Sequence, residues 1–202
     1  MAARSRSAAS TAALGFRAHS GWAVLVAVAG PSEEPALLIR RRIELSRRTP
    51  RQPFHAAEHL PFEKAEALIR RATDEATTLA DRAVTEAVAE LQAAGHEAVA
   101  GGVVLAAGRP LPGLAQILAS HALIHAAEGE LFRDVLRQVS QRAGLRVIAV
   151  PERDLEARAT RTLGQSAAAL AERLKAWGKA VGPPWTQDEK RAALVAWLAL
   201  GS

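Results

Sequence analysis

Two histidines and a glutamate at helical spacing are the residues whose types and spacing most clearly suggest catalysis or ligand binding. His121, His125 and Glu128 follow one another at intervals of four and three residues, which places them on one ridge of an α-helix. Polar groups buried without partners cost roughly 2–7 kcal/mol each, so we expect these three to be hydrogen-bonded or to bind a ligand. An apolar stripe surrounds the ridge and comprises Leu118, Phe132, Val135, Leu136 and Val139.

Three interpretations of this ridge stay open. In the first, it is a buried hydrogen-bonded network that locks the helix against a sheet. In the second, it lines a cleft and binds a substrate or a metal ion such as Zn²⁺ or Mn²⁺. In the third, the helix is rotated and the ridge faces solvent or a second subunit. The second interpretation makes His121, His125 and Glu128 candidate catalytic residues.

A second histidine pair occurs in the pattern HAAEH. His55, Glu58 and His59 match the H-x-x-E-H order of inverted zinc peptidases, in which two histidines bind Zn²⁺ and the internal glutamate acts as a base. That chemistry needs a sustained helix, whereas Pro53 and Pro61 flank the pattern closely. The three residues are candidate metal ligands, and the simpler interpretation places the two histidines on a surface loop.

Arginines are concentrated in and after the third apolar run of the chain. Arginines spaced along one surface neutralise phosphates and give salt-dependent affinity, but charges on an edge strand also prevent aggregation. Both interpretations stay open. No aromatic residues are interleaved with this segment, which disfavours base stacking on single strands. The candidate nucleic-acid contacts are Arg17, Arg40, Arg41, Arg42, Arg47, Arg48, Arg51 and Arg109.

Composition and charge limit the functional classes. The 202 residues are 49% hydrophobic and only 4% aromatic, which suits one aliphatic core. The formal net charge of +5 favours anionic partners such as nucleic acid. Cysteine is absent, which excludes thiolate metal sites and a cysteine nucleophile and fits a cytoplasmic location. No apolar run reaches the ~20 residues of a membrane span, so we expect no membrane partner.

Hydrophobic periodicity predicts the elements that position these residues. The predicted strands cover 13–19, 22–29, 36–45, 99–106 and 145–150. The predicted helices cover 61–94, 114–143 and 155–177, with a last helix that follows a capping box at Thr186. The order β-β-β-α-β-α-β-α indicates a mixed α/β sheet with helices on both faces. We expect a flexible tail at 1–11 and a single domain at 12–202.

This element order is that of the ribonuclease-H-like fold, and within it the sequence resembles RuvC-type resolvases and related proteins. GFRAHSGWAVL resembles the first hairpin of that group. ALIHAAEGELFRDVL and AGLRVIAVPERDL resemble its central helix and fifth strand, and TQDEKRAALVAWLAL resembles its terminal helix. The resemblance spans most of residues 12–200. It implies a five-stranded mixed sheet whose first, third, fourth and fifth strands are parallel.

Ligands of such sheets bind at the carboxyl ends of the parallel strands. At that edge we expect His19, the segment 46–60, Arg109 and the start of the last helix.

The resemblance also predicts where metal-binding acids would lie. That family holds two Mg²⁺ ions with an aspartate in strand one, an acid at strand four and acids at the last helix. Here Arg17 occupies the strand-one position, and the fourth strand, VAGGVVLA, has no acid. Asp188 and Glu189 match the acids of the last helix and are candidate catalytic residues. Because a guanidinium group repels Mg²⁺, we expect a RuvC-related protein that binds nucleic acid and whose nuclease activity is lost or altered.

Two alternatives from other classes remain. One is a metal-dependent or acid/base hydrolase that uses the His121, His125 and Glu128 ridge, with a divalent metal as cofactor. The other is a structural or interaction protein in which the helix at 61–94 forms the surface of a homodimer. The sequence leaves open whether the protein is an enzyme, because the two-metal constellation is incomplete.

Overall fold

A computed structural model describes residues 10–106 and 110–202 of the chain. The nucleic-acid candidate Arg109 and residues 1–9 of the predicted tail lie outside the described residues. Ser10 and Thr11, which the sequence assigned to the tail, belong to the first strand, because they pair with the beginning of the fourth strand.

The described residues form five strands and seven helices. The strands are β1 (Ser10–His19), β2 (Trp22–Ala29), β3 (Ala36–Glu44), β4 (His96–Leu105) and β5 (Arg146–Pro151). The helices are α1 (Pro53–Ala57), α2 (Phe62–Ala93), α3 (Leu114–Leu118), α4 (His121–Arg142), α5 (Leu155–Leu163), α6 (Ala167–Val181) and α7 (Gln187–Leu200). A short 3₁₀ turn, Glu152–Asp154, joins β5 to α5. None of these helices, over the residues described, has the length and apolarity to cross a bilayer.

The sheet is mixed and has the strand order β3-β2-β1-β4-β5. β2 is antiparallel to β1 and β3, whereas β4 is parallel to β1 and β5. The strands β1, β3, β4 and β5 therefore run in one direction and end at one edge, as the sequence predicted. Gly21, at a φ of 78°, allows the tight turn between β1 and β2. This arrangement confirms the predicted ribonuclease-H-like α/β fold.

Helices cover both faces of the sheet and enclose two aliphatic cores. Alternate residues of a strand point to opposite faces: Leu25 of β2 packs in the core beneath α2 and α4. Its neighbours Val24 and Val26 pack in the core beneath α5, α6 and α7. Burial on both faces explains why the strands read as continuous apolar runs in the sequence.

The terminal helix α7 packs directly on the backbone of β1 and β4. A Cβ at Gly15 would lie 2.0 Å from the carbonyl oxygen of Ala192, and one at Gly102 would lie 2.5 Å from that of Val195. Glycine is therefore needed at both positions. This close packing places the start of α7 beside the end of β1.

Three helical regions differ from the prediction. The predicted helix at 114–143 is interrupted at Ser120, which has extended backbone angles and precedes α4. The predicted helix at 155–177 is two helices, because Gly164 ends α5 at a φ of 62° and Ser166 caps α6. The segment after β3, predicted to be irregular, contains α1, which begins at Pro53.

Candidate functional site

Two groups of polar side chains lie toward the carboxyl edge of the parallel strands. The first, which we call the ion-pair chain, consists of Arg17, His19, Glu152, Asp188 and Arg191. The second group lies between α1 and α4. Because α4 follows β4 and its end leads into β5, the start of α4 lies on the carboxyl side of the sheet.

The ion-pair chain joins the end of β1 to α7 and to the turn after β5. Arg17 Nη2 lies 2.9 Å from Glu152 Oε2, and Arg17 Nε lies 3.5 Å from Asp188 Oδ1. Arg191 Nη2 lies 2.8 Å from Glu152 Oε1. His19 Nε2 is 3.0 Å from Asp188 Oδ2, at an angle that does not make a hydrogen bond. Two guanidinium groups thus neutralise two carboxylates.

The sequence placed His19 and the start of the last helix at this edge, and the structure brings them together. It did not identify Glu152 or Arg191. Glu152 could have been identified from its position directly after the fifth strand, because the ends of the parallel strands meet at that edge. Arg191 lies three residues after Asp188, on the same side of α7.

Glu189 stabilises the start of α7. Its Oε2 accepts hydrogen bonds from the backbone nitrogen of Thr186 at 2.7 Å and from the Thr186 hydroxyl at 2.6 Å. The Thr186 hydroxyl in turn accepts from the nitrogen of Asp188 at 3.2 Å, which completes the capping box predicted from the sequence. Glu189 therefore helps to fix the backbone that carries Asp188.

The turn between β1 and β2 adds a stack of rings beside this chain. The His19 and Trp22 rings are parallel within 7°, with centroids 4.2 Å apart. The Arg42 guanidinium lies 4.0 Å from the centroid of Trp22 and donates to Glu44 at 3.0 Å. Arg42 is therefore engaged in packing and an ion pair.

The other arginines of β3 are also held by contacts within the fold. Arg40 donates to the carbonyl oxygens of Gly182 and Pro184. Arg41 forms an ion pair with Glu90 of α2. In the loop that follows, Arg51 lies 3.5 Å from Glu44.

The same loop exposes two arginines on a fixed backbone. Glu75 of α2 accepts from the nitrogens of Arg47 at 3.3 Å, Arg48 at 2.8 Å and Thr49 at 2.8 Å, and from the Thr49 hydroxyl at 2.6 Å. Burial raises the pKa of Glu75, but these donors outweigh it and hold the pKa below its usual value. Both arginines are exposed, and neither guanidinium forms an ion pair with a described residue.

The second group, which we call the histidine cluster, consists of His55, His121 and His125. One ring nitrogen of each lies within 4.8 Å of those of the others. The Nε2 atoms of His121 and His125 are 3.0 Å apart, and the ring centroids are 4.5–5.5 Å apart. His121 and His125 occupy successive turns of α4, whereas His55 comes from α1.

The structure buries one residue of the predicted ridge and exposes the other two. Glu128 is 3% exposed, but His121 and His125 are exposed. The first turns of α4 pack Ile124 and Ala127 against α1 and α3, so the buried face there is rotated away from the histidines.

Glu128 is the buried partner of His55. Its Oε1 accepts from the backbone nitrogen of His55 at 2.9 Å and lies 3.0 Å from Nδ1 of the same residue. Its Oε2 is buried without a hydrogen-bond partner among the described residues. Burial raises the pKa of Glu128, and the hydrogen bonds from His55 oppose that rise.

The HAAEH pattern does not form the helical site of an inverted zinc peptidase. The helix α1 ends at Ala57, and the His59 side chain is 91% exposed. Glu58 Oε1 instead lies 3.8 Å from His121 Nδ1. Of the three candidate ligands, His55 and Glu58 lie beside the histidines of α4, and His59 lies outside the cluster.

Two depressions adjoin these groups. A shallow one of about 640 Å³ includes Ser20, Arg51, Gln52 and His55, so the histidine cluster borders the β1–β2 turn. A larger groove of about 1110 Å³ lies between α5, α6 and α7 and includes Glu152 and Arg191 of the ion-pair chain.

Comparison with known proteins supports the fold. No family model and no curated protein matches the chain. The structure of T. thermophilus RuvC in complex with a Holliday junction substrate matches with a TM-score of 0.57 and 12% identity, over 93% of this chain and 92% of that one. A second Thermus thermophilus RuvC structure matches with a TM-score of 0.55 and the same identity and coverage. The chain therefore shares the ribonuclease-H-like fold of these resolvases.

Proposed function

We propose that the protein binds nucleic acid, with duplex or branched DNA as its ligand, and does not perform two-Mg²⁺ nuclease chemistry. The observation that carries the proposal is the exposed pair Arg47 and Arg48, whose backbone Glu75 fixes and whose side chains have no ion pair among the described residues. Guanidinium groups on an ordered backbone lose less entropy when they neutralise phosphates. A similar fold carries a Holliday junction substrate in T. thermophilus RuvC.

The ion-pair chain supports the absence of two-metal chemistry. That chemistry requires carboxylates grouped around two cations a few ångströms apart. Here Glu152 and Asp188 are paired with Arg17, and Glu152 is also paired with Arg191. A Mg²⁺ ion at this edge would meet a guanidinium group and would compete with existing ion pairs.

Fluorescence anisotropy with a labelled four-way junction and a linear duplex tests the binding. We expect Arg47→Ala with Arg48→Ala to weaken binding by roughly tenfold per arginine at 0.1 M salt, because each lost phosphate contact reduces counterion release. The matched control is Arg158→Ala with Arg161→Ala on α5, which removes the same charge from the other face of the sheet. Equal losses in both double variants would contradict the assignment of the loop.

Cleavage tests the second half of the proposal. We expect the unmodified protein to leave both DNA forms intact in the presence of Mg²⁺, as judged by denaturing gel electrophoresis. Robust Mg²⁺-dependent cleavage would overturn it, whatever the outcome of the binding measurement.

A metal-dependent hydrolase is the second candidate, and the histidine cluster favours it. Within the predicted ridge, His121 and His125 are accessible, whereas Glu128 is buried behind His55. A homodimer through α2 stays a prediction that light scattering tests. Much of the apolar face of that helix, including Ala72, Ala76 and Ala80, is buried within the fold.

A further inference from the structure

The histidine cluster gathers nitrogen ligands from two helices that are distant in sequence. His121 and His125 are one helical turn apart on α4, and His55 approaches from α1. All three offer a ring nitrogen within 4.8 Å of the others. Zinc–nitrogen bonds of about 2.0–2.1 Å place the nitrogen atoms of tetrahedral ligands roughly 3.4 Å apart. A small adjustment of the side chains would bring the three ring nitrogens to that separation. The His121 side chain is 66% exposed and has room to rotate.

Glu128 supplies the outer partner that metal-binding histidines commonly have. Its Oε1 lies 3.0 Å from Nδ1 of His55 and also accepts from the His55 backbone at 2.9 Å. A proton held on Nδ1 leaves the lone pair on Nε2 for a cation. In many metal sites a carboxylate accepts a hydrogen bond from a metal-binding histidine. This contact orients the imidazole ring and raises its basicity.

The charge balance around Glu128 also favours a cation bound to His55. The residue is 3% exposed, and His55 is the one ion-pair partner it has in the described parts of the chain. Its second oxygen, Oε2, is buried with no hydrogen-bond partner there. A buried carboxylate of this kind is costly unless a positive charge compensates it. A dication bound to the far side of the imidazole would supply that charge.

We propose that His55, His121 and His125 bind one Zn²⁺ ion per chain, with Glu128 as the outer carboxylate of His55. Imidazole ligands suit Zn²⁺, whereas Mg²⁺ prefers oxygen ligands, so the site is chemically different from a two-Mg²⁺ nuclease centre. Three protein ligands leave a fourth position for water or an anionic oxygen. The shallow depression beside His55, which includes Arg51 and Gln52, gives such a ligand access.

Zinc titration of the full-length, chelator-treated protein tests the site. We expect competition with a chromophoric chelator and elemental analysis after desalting to give one Zn²⁺ per chain. His121→Ala and His125→Ala should each lower the affinity by more than 100-fold. Glu128→Gln should lower it by about 10–100-fold, as expected for an outer-shell partner. The His59→Ala variant is the matched control, because His59 is exposed and lies outside the cluster.

Two further readouts separate a metal site from a hydrogen-bonded trio of imidazoles. Zn²⁺ should raise the melting temperature of the unmodified protein and not that of the His121→Ala/His125→Ala double variant. Both substituted residues are exposed, so circular dichroism should show the double variant folded. Failure of the unmodified protein to retain Zn²⁺, or an equal loss in His59→Ala, would overturn the proposal. DNA binding is measured separately and does not bear on this result.

Discussion

At the end of β1, an arginine stands where the resemblance to RuvC-type resolvases implies an acid. Arg17 lies between Glu152 and Asp188, and its side chain is 17% exposed. In so sheltered a position, a charge interacts more strongly than on the open surface, and its loss leaves two carboxylates less well neutralised. Arg17 and the two carboxylates therefore form an internally paired set at this edge.

Replacing this arginine with a neutral side chain of similar length should destabilise the fold. We expect Arg17→Met to lower the free energy of unfolding by about 1–3 kcal/mol, because Glu152 and Asp188 lose a sheltered cationic partner. The control is Arg153→Ala, whose exposed pair with Asp154 should be worth less than about 1 kcal/mol. Urea denaturation measures both, and equal effects would contradict a structural role for Arg17.

Placing an acid at position 17 should not produce nuclease chemistry. We expect Arg17→Asp to show no Mg²⁺-dependent cleavage, because the carboxyl end of β4 carries no acid; Glu97, the one acid of the strand, lies at its start. The new carboxylate would also lie beside Glu152 and Asp188, where Arg191 is the one arginine or lysine that still pairs with them among the described residues. A gel assay on labelled duplex tests this, and cleavage above that of the parent protein would show that one residue blocks the activity.

Residue types and spacing revealed part of the histidine cluster, and tertiary contact decided the rest. The sequence placed His121, His125 and Glu128 on one ridge because helical spacing is local. It grouped His55 with Glu58 and His59, which are its sequence neighbours. The contact between His55 and α4 depends on how α1 packs, and no local pattern encodes it.

At the scale of elements, α2 holds the loop at 46–52, which we call the basic loop, through one side chain. Glu75 accepts hydrogen bonds from three consecutive backbone nitrogens and one hydroxyl. These hydrogen bonds fix the loop backbone, whereas the side chains of Arg47 and Arg48 are exposed to solvent. Such a segment presents charge without a large entropic penalty on binding.

The lowered pKa of Glu75 gives this contact a pH dependence. A carboxyl with a lowered folded-state pKa stabilises the fold above its ordinary pKa of 4.5, and this stabilisation is lost as the pH falls through the folded-state value. We therefore expect Glu75→Gln to be less stable than the parent at pH 7 and the difference to shrink below pH 4.5. Denaturation curves from pH 7 to about pH 3 check this, and a constant difference would contradict it.

The contact of α7 with the sheet depends on two glycines. We expect Gly15→Ala to cost about 1–3 kcal/mol or more, because its Cβ would overlap the backbone of α7 at 2.0 Å. Gly101→Ala on β4 is the control, since its Cβ would meet Ser140 at an ordinary 3.5 Å. Thermal unfolding of both variants distinguishes them, and a fully stable Gly15→Ala would contradict the close packing.

Helices and strands could be predicted where burial produces a continuous apolar pattern in the sequence. Breaks caused by a single residue were harder to predict. The apolar run of β2 was found with its observed bounds, because both faces of the strand are buried. The break at Ser120 was missed, since the helical periodicity continues across it. The end of α5 at Gly164 was missed for the same reason.

Across the whole molecule, the carboxyl side of the sheet carries three chemically different surfaces. The ion-pair chain lies at the end of β1, the histidine cluster lies at the start of α4, and the basic loop follows β3. The topology explains this grouping, because every connection that leaves a parallel strand begins on that side. The fold alone does not show which of these three surfaces has a function.

The salt dependence of DNA binding tests nucleic-acid binding most directly. We expect the affinity of the parent protein for a labelled four-way junction to fall steeply as salt rises. The slope of log affinity against log salt should be shallower by about 2 in the Arg47→Ala/Arg48→Ala variant, because each phosphate contact contributes roughly 0.9. No binding at low salt, or an unchanged slope in the variant, would contradict a nucleic-acid interface at this loop.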